Sequence, residues 1–182
     1  VLTIDIDPQG NTTSGFGIDK NKMEHSIYDV LINGLDVHDS IYPTKVKNLD
    51  IIISNIQLAG AEIELVPMIS RETVLERAIK PIKDKYDYIF IDCPPSLGLL
   101  TINALTASDK VLVPIQCEYY ALEGLSQLMG TIRLVQMHLN PSLKIEGVVL
   151  TMFDARTNLS IQVVEDVKKH FRNKVYRTII PR

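Results

Sequence analysis

The chain has 182 residues, 46% of them hydrophobic, and its 19 basic and 22 acidic side chains leave a net charge of −3. That length and apolar content suit one packed domain and exclude a disordered chain, and nothing in the overall charge argues for a polyanionic partner. No apolar run approaches the roughly 20 residues of a membrane span, and Cys93 and Cys117 sit in apolar strand-like stretches that suit free thiols in a reducing cytosol rather than a disulfide framework.

In chain order, Leu2 to Ile6 is the first predicted strand; the sequence opens inside it at Val1 without an initiator Met, so the chain is expected to be a piece of a longer protein. Ser26 can cap a short helix through Asn33, and Leu49 to Ser54 forms the next strand. Ser70 opens a helix from Arg71 to Lys85, with Val74, Ala78 and Ile82 on one face and Pro81 kinking or shortening it. Strands at Tyr88 to Asp92 and Val111 to Ile115 follow. A helix after Tyr120 carries Leu125, Leu128, Ile132 and Val135 at helical spacing until Asn140-Pro141 stops it. A strand from Ile145 to Met152, a helix from about Leu159 to Phe171 and a strand at Thr178 to Ile180 complete the list. Strand, helix, strand repetition with β-branched strands predicts an α/β fold, a mostly parallel sheet with helices on both faces, in a single domain over residues 1–182.

Two strands end in acids. Ile4-Asp5-Ile6-Asp7-Pro8 and Tyr88-Ile89-Phe90-Ile91-Asp92-Cys93 each deliver carboxylates to the sheet's carboxyl edge, where open α/β sheets bind ligands. Asp5 and Asp7 share a side if the strand stays extended, and Gln9-Gly10-Asn11-Thr12-Thr13-Ser14-Gly15 supplies a small, polar, flexible loop able to approach phosphate. Phosphoryl transfer needs a positioned water, a metal and charge neutralisation, tasks that Asp5, Asp7 and Asp92 suit. The alternative is that these acids only cap strand ends. Cys93 has no neighbouring base and reads as inert, His25, His38, His138 and His170 lack metal-ligand spacing, and Tyr119-Tyr120 suits packing or base stacking. Between Arg156 and Arg182 the chain is locally cationic; Lys168, Lys169 and Arg172 either bind phosphate or merely solvate a helix end.

These acidic stretches, with Ile56-Gln57-Leu58-Ala59-Gly60-Ala61-Glu62, Asp92-Cys93-Pro94-Pro95-Ser96, Cys117-Glu118-Tyr119-Tyr120 and Leu150-Thr151-Met152-Phe153-Asp154-Ala155-Arg156-Thr157, resemble the Soj/ParA chromosome-partitioning ATPases, deviant Walker members of the MinD/ParA superfamily. The resemblance implies a P-loop NTPase-like fold with ATP and Mg²⁺ as cofactors, and a switch for chromosome or plasmid segregation. It implies an ATP-bound homodimer that binds DNA without sequence preference, a ParB-type partner that stimulates hydrolysis, a cytoplasmic, nucleoid-associated location and no membrane contact. By position, Asp7 is expected to orient the attacking water, Asp92 and Asp5 to serve the metal, and Asp5, Gly10, Asn11, Met152, Asp154, Pro181 and Arg182 to line the nucleotide site. Arg156, with Lys168, Lys169 and Arg172, is expected to meet DNA. The family's first strand, its K-G-G-V-G-K-T-T phosphate loop and its C-terminal segment do not occur in the sequence, so the 182-residue piece alone is expected neither to bind ATP tightly nor to hydrolyse it. The competing expectation is a non-catalytic interaction module on a degenerate nucleotide fold.

Overall fold

β-Branched runs become strands in the computed structural model, which describes residues 1–118 and 121–182 and divides into two units, residues 1–107 and 108–182. Tyr119 and Tyr120 lie outside the described residues.

In the first unit the elements are β1 (Leu2–Asp5), α1 (Asn11–Gly15), α2 (Ile27–Ile32), β2 (Ile41–Pro43), β3 (Asp50–Ile52), α3 (Leu58–Leu65), α4 (Val74–Ile79), β4 (Ile89–Asp92) and α5 (Leu99–Ala107). The sheet order is β2-β3-β1-β4. β1 runs parallel to both β3 and β4, whereas β2 is antiparallel to β3. β1 is central and fully covered: Leu2, Ile4 and Ile6 are solvent-free and pack with Leu58, Leu75 and Leu100. Each such side chain is worth about 1.5–3 kcal/mol of burial.

Helix ends follow local chemistry. The Asp29 carboxylate accepts from the Ser26 N–H at 2.8 Å, closing the start of α2. Ser70 does not cap; it adopts a left-handed backbone, φ 54°, and the expected helix from Arg71 to Lys85 splits into a 3₁₀ turn, α4 and a second 3₁₀ stretch at Lys80–Lys85. Pro81 explains the break after Ile79, because it lacks an N–H and its ring crowds the preceding turn. The loop expected after Gly10 is also corrected: residues 11–15 form α1.

The second unit holds β5 (Lys110–Gln116), α6 (Ala121–His138), β6 (Lys144–Phe153), α7 (Asn158–Phe171) and β7 (Val175–Pro181). Its three strands are all parallel in the order β5-β6-β7. Val113, Ile115 and Leu150 pack against Val163, Val167 and Phe171, which recur at helical spacing along α7. Leu112, Pro114 and Gln116, on the other face of β5, are exposed. Among the described residues no helix is long and apolar enough to cross a membrane.

Candidate functional site

The acidic edge is assembled by strand register. β1 and β4 pair in parallel so that Asp5 stands opposite Asp92, and the chain leaving β1 is tied on by the Ile6 N–H donating to the Asp92 carbonyl at 2.9 Å. The two carboxylates then diverge. Asp92 is exposed, while Asp5 is solvent-free.

Asp5 is saturated by its own chain. Its Oδ2 accepts from the Thr13 N–H at 2.8 Å and the Thr13 hydroxyl at 2.7 Å, and its Oδ1 accepts from the Asp7 N–H at 3.2 Å. Burial pushes its carboxyl up, opposed by those Thr13 and Asp7 hydrogen bonds and aided by the Asp92 charge. The expectation that Asp5 and Asp7 share one side of an extended strand is corrected, because β1 ends at Asp5 and the backbone turns. Asp7 lies half-buried in that turn, where its Oδ1 accepts from the Gln9 N–H at 2.9 Å and its carbonyl from the Gly10 N–H at 2.8 Å.

Thr12, Thr13 and Lys20, none with an individual role expected from sequence, complete the arrangement. Thr12 donates its hydroxyl to Asp92 Oδ2 at 2.7 Å. Thr13 Oγ1 also accepts from the Ser54 N–H at 3.1 Å, tying α1 to the end of β3. Lys20 Nζ donates to the Gln9 carbonyl at 2.6 Å and the Gly10 carbonyl at 3.2 Å. Gly10 itself is buried with φ +60°, and a Cβ there would lie 2.8 Å from Lys20 Cδ and 3.0 Å from the Ser54 carbonyl. Asn11 is exposed at the start of α1. The one available signal was local: hydroxyl residues just after Gly-Asn are suited to opening a helix. Cys93, beside Asp92, is pushed up to about 12 by burial and by the charges of Asp92 and Asp7, so its thiol is inert as expected.

In the second unit, strand pairing gathers Met152, Asp154, Pro181 and Arg182. Phe153 pairs with Pro181, and the Arg182 N–H donates to the Phe153 carbonyl at 3.1 Å. Met152 takes a left-handed backbone, φ 53°, at this strand end. Arg182 also reaches Glu118 Oε1 at 3.1 Å. Asp154 receives Arg156 three times, from its N–H at 3.0 Å, Nε at 2.9 Å and Nη2 at 2.7 Å. The Arg156 guanidinium hydrogen bonds, then its N–H, hold the Asp154 carboxyl well below the usual carboxylate range.

Arg156 precedes α7, whereas Lys168, Lys169 and Arg172 are exposed at its far end. At 1.5 Å per residue, about 15 Å of helix axis lies between them, so they form two cationic points rather than one patch.

A family profile described as an AAA domain matches residues 1–145. The sporulation initiation inhibitor protein Soj of Bacillus subtilis (strain 168) is 69% identical over 182 residues, which cover 100% of this chain and 72% of that protein. The chromosome-partitioning ATPase Soj of Treponema pallidum (strain Nichols) is 46% identical over 181 residues, covering 100% of this chain and 70% of that one. A solved structure of cobyrinic acid a,c-diamide synthase from Mycobacterium smegmatis, with bound ATP analog and magnesium, matches with a TM-score of 0.91 at 40% identity, over 100% of this chain and 74% of its own.

Proposed function

The chain belongs to the Soj/ParA family of chromosome-partitioning ATPases, and from that premise we propose that its acidic sheet edge is the hydrolytic centre of an ATP-dependent switch for segregating chromosome or plasmid DNA. One observation carries the reading: Asp5 and Asp92 in register, each fixed by a threonine of the short helix that follows Gly10.

The residues fit a nucleotide with its cation. The donors are hard oxygens, and the buried Gly10, with no room for a Cβ, leaves backbone close to the edge. Among the described residues no three acids, histidines or cysteines cluster as a metal cage. Mg²⁺ is held by one or two carboxylates, waters and the phosphates themselves, a role the exposed Asp92 carboxylate suits. Bound magnesium supplies charge neutralisation on the phosphate oxygens.

The chain's own residues then divide the work. Asp92, exposed and oriented by Thr12, is the metal-facing carboxylate. Asp5, with its oxygens committed to Thr13 and Asp7, is the floor that holds α1 and the Asp7 turn in place. Asp7, half-buried and within reach of the edge, orients the attacking water and takes its proton. Met152, Asp154, Pro181 and Arg182 contribute to the base and sugar side, and Arg156, Lys168, Lys169 and Arg172 to DNA. Dimerisation on ATP and stimulation by a ParB-type protein follow the family pattern.

The test is ATP turnover by the full-length protein with and without DNA and a ParB-type partner. Asp7→Asn is expected to lower kcat by about 10²–10⁴-fold while nucleotide still binds. Turnover at the normal pace in that variant overturns the assignment.

A further inference from the structure

Among the described residues, two buried side-chain oxygens have no hydrogen-bond partner: Ser54 Oγ and Glu62 Oε1. Ser54 follows β3 at the carboxyl edge and Glu62 lies within α3, and an unpaired buried oxygen in a folded protein calls for a reason. For Glu62 the surroundings supply one. Its carboxylate rests on Gly98: a Cβ built there would fall against Glu62 Oε1, 2.7 Å from Cδ and 3.0 Å from Oε2. Gly98 in turn opens α5, its carbonyl accepting from the Ile102 N–H at 3.0 Å, and only residues 93–97 separate it from Asp92.

The first amides of a helix have no acceptor within it and carry the positive end of its dipole, so a carboxylate is held there by charge as well as by contact. Oε1 takes no hydrogen bond from them in this arrangement. The Glu62 carboxylate therefore meets the start of α5 by contact at Gly98, with one oxygen left unpaired there.

We propose that Glu62 is a positioning residue for ATP hydrolysis, clamping the loop between Asp92 and α5 through Gly98 and so fixing where Asp92 presents its carboxylate. The inference rests on the reading of this edge as the ATP site. Glu62 acts through the loop backbone, and a side chain at position 98 would have to displace its carboxylate.

The experiment is steady-state ATPase kinetics of the full-length protein with Glu62→Gln, Glu62→Ala, Gly98→Ala and the Gly98→Ala/Glu62→Ala pair, at several magnesium concentrations, with thermal melts of each. Both Glu62 variants are expected to lower kcat about tenfold, with KM for ATP within about twofold and a higher magnesium requirement. Gly98→Ala is expected to be more impaired alone than when combined with Glu62→Ala, since removing the carboxylate makes room for the methyl group. Glu62→Gln turning over like the wild type, or losing activity only in proportion to a lowered Tm, overturns the proposal. If the wild type itself does not hydrolyse ATP, the ATP-site reading falls first and the clamp with it.

Discussion

Thr13 shapes the acidic edge more than its size suggests, because its backbone and hydroxyl both donate to Asp5 while the hydroxyl accepts from Ser54. Thr13→Val keeps the shape and removes the hydroxyl, leaving the buried Ser54 N–H without an acceptor. Urea unfolding is expected to show a loss of about 1–3 kcal/mol, and an unchanged midpoint would refute that account. Asp154 makes a different residue-level statement. Its carboxyl is depressed by Arg156, so the pair's contribution is present above the ordinary value of 3.8 and is lost as pH falls through the lowered value. The Arg156 side chain is 88% accessible although Asp154 is only 18% so, and solvent screening at the guanidinium keeps the contribution small. The clean readout is NMR titration of the Asp154 carboxyl, which in Arg156→Ala is expected to move up toward 3.8.

Helix α1 shows how an element can form on a weak sequence signal. Asn11-Thr12-Thr13-Ser14-Gly15 reads as loop by composition, and it is helical because Asp5 accepts at Thr13 and Asp92 at Thr12. Its entry turn depends on Gly10, so Gly10→Ala is expected to cost about 1–2 kcal/mol in the left-handed backbone alone, with crowding of Lys20 added, by the same denaturation measurement. Strands were legible because β-branched runs bounded by acids and prolines have few other uses; β1, β3, β4, β5 and β6 all fall where the runs are. The short β2 pairs antiparallel at a sheet edge and includes Pro43, so no run announces it. α5 was missed because Leu100, Asn103, Ala104, Leu105 and Ala107 are buried around its circumference, leaving no polar face to mark a period. In α3 the inward set Leu58, Ala61 and Leu65 is obscured by Ile63, which is 77% exposed. In the site, the acids were readable because they end apolar strands. Thr12 and Thr13 were not, since their partners Asp92 and Ser54 lie 80 and 41 positions away.

For the molecule as a whole, a net charge of −3 means that the proposed DNA contact would depend on local cations rather than on a general field. Arg156→Glu in the full-length protein is expected to abolish DNA retention while ATPase activity without DNA persists. In salt titrations of the wild type, log affinity is expected to fall linearly with log salt, and Arg156→Ala to reduce that slope by about one. DNA binding unchanged by either substitution would remove Arg156 from the interface. The pairing of Asp5 with Asp92 has a further effect on tolerance to change. The pleat repeats every two positions, so sliding β4 by a single notch would bring Ile91 or Cys93 abreast of Asp5 and turn the second acid to the opposite side. The separation of the two acids is thus inherited from the hydrogen-bond ladder between β1 and β4.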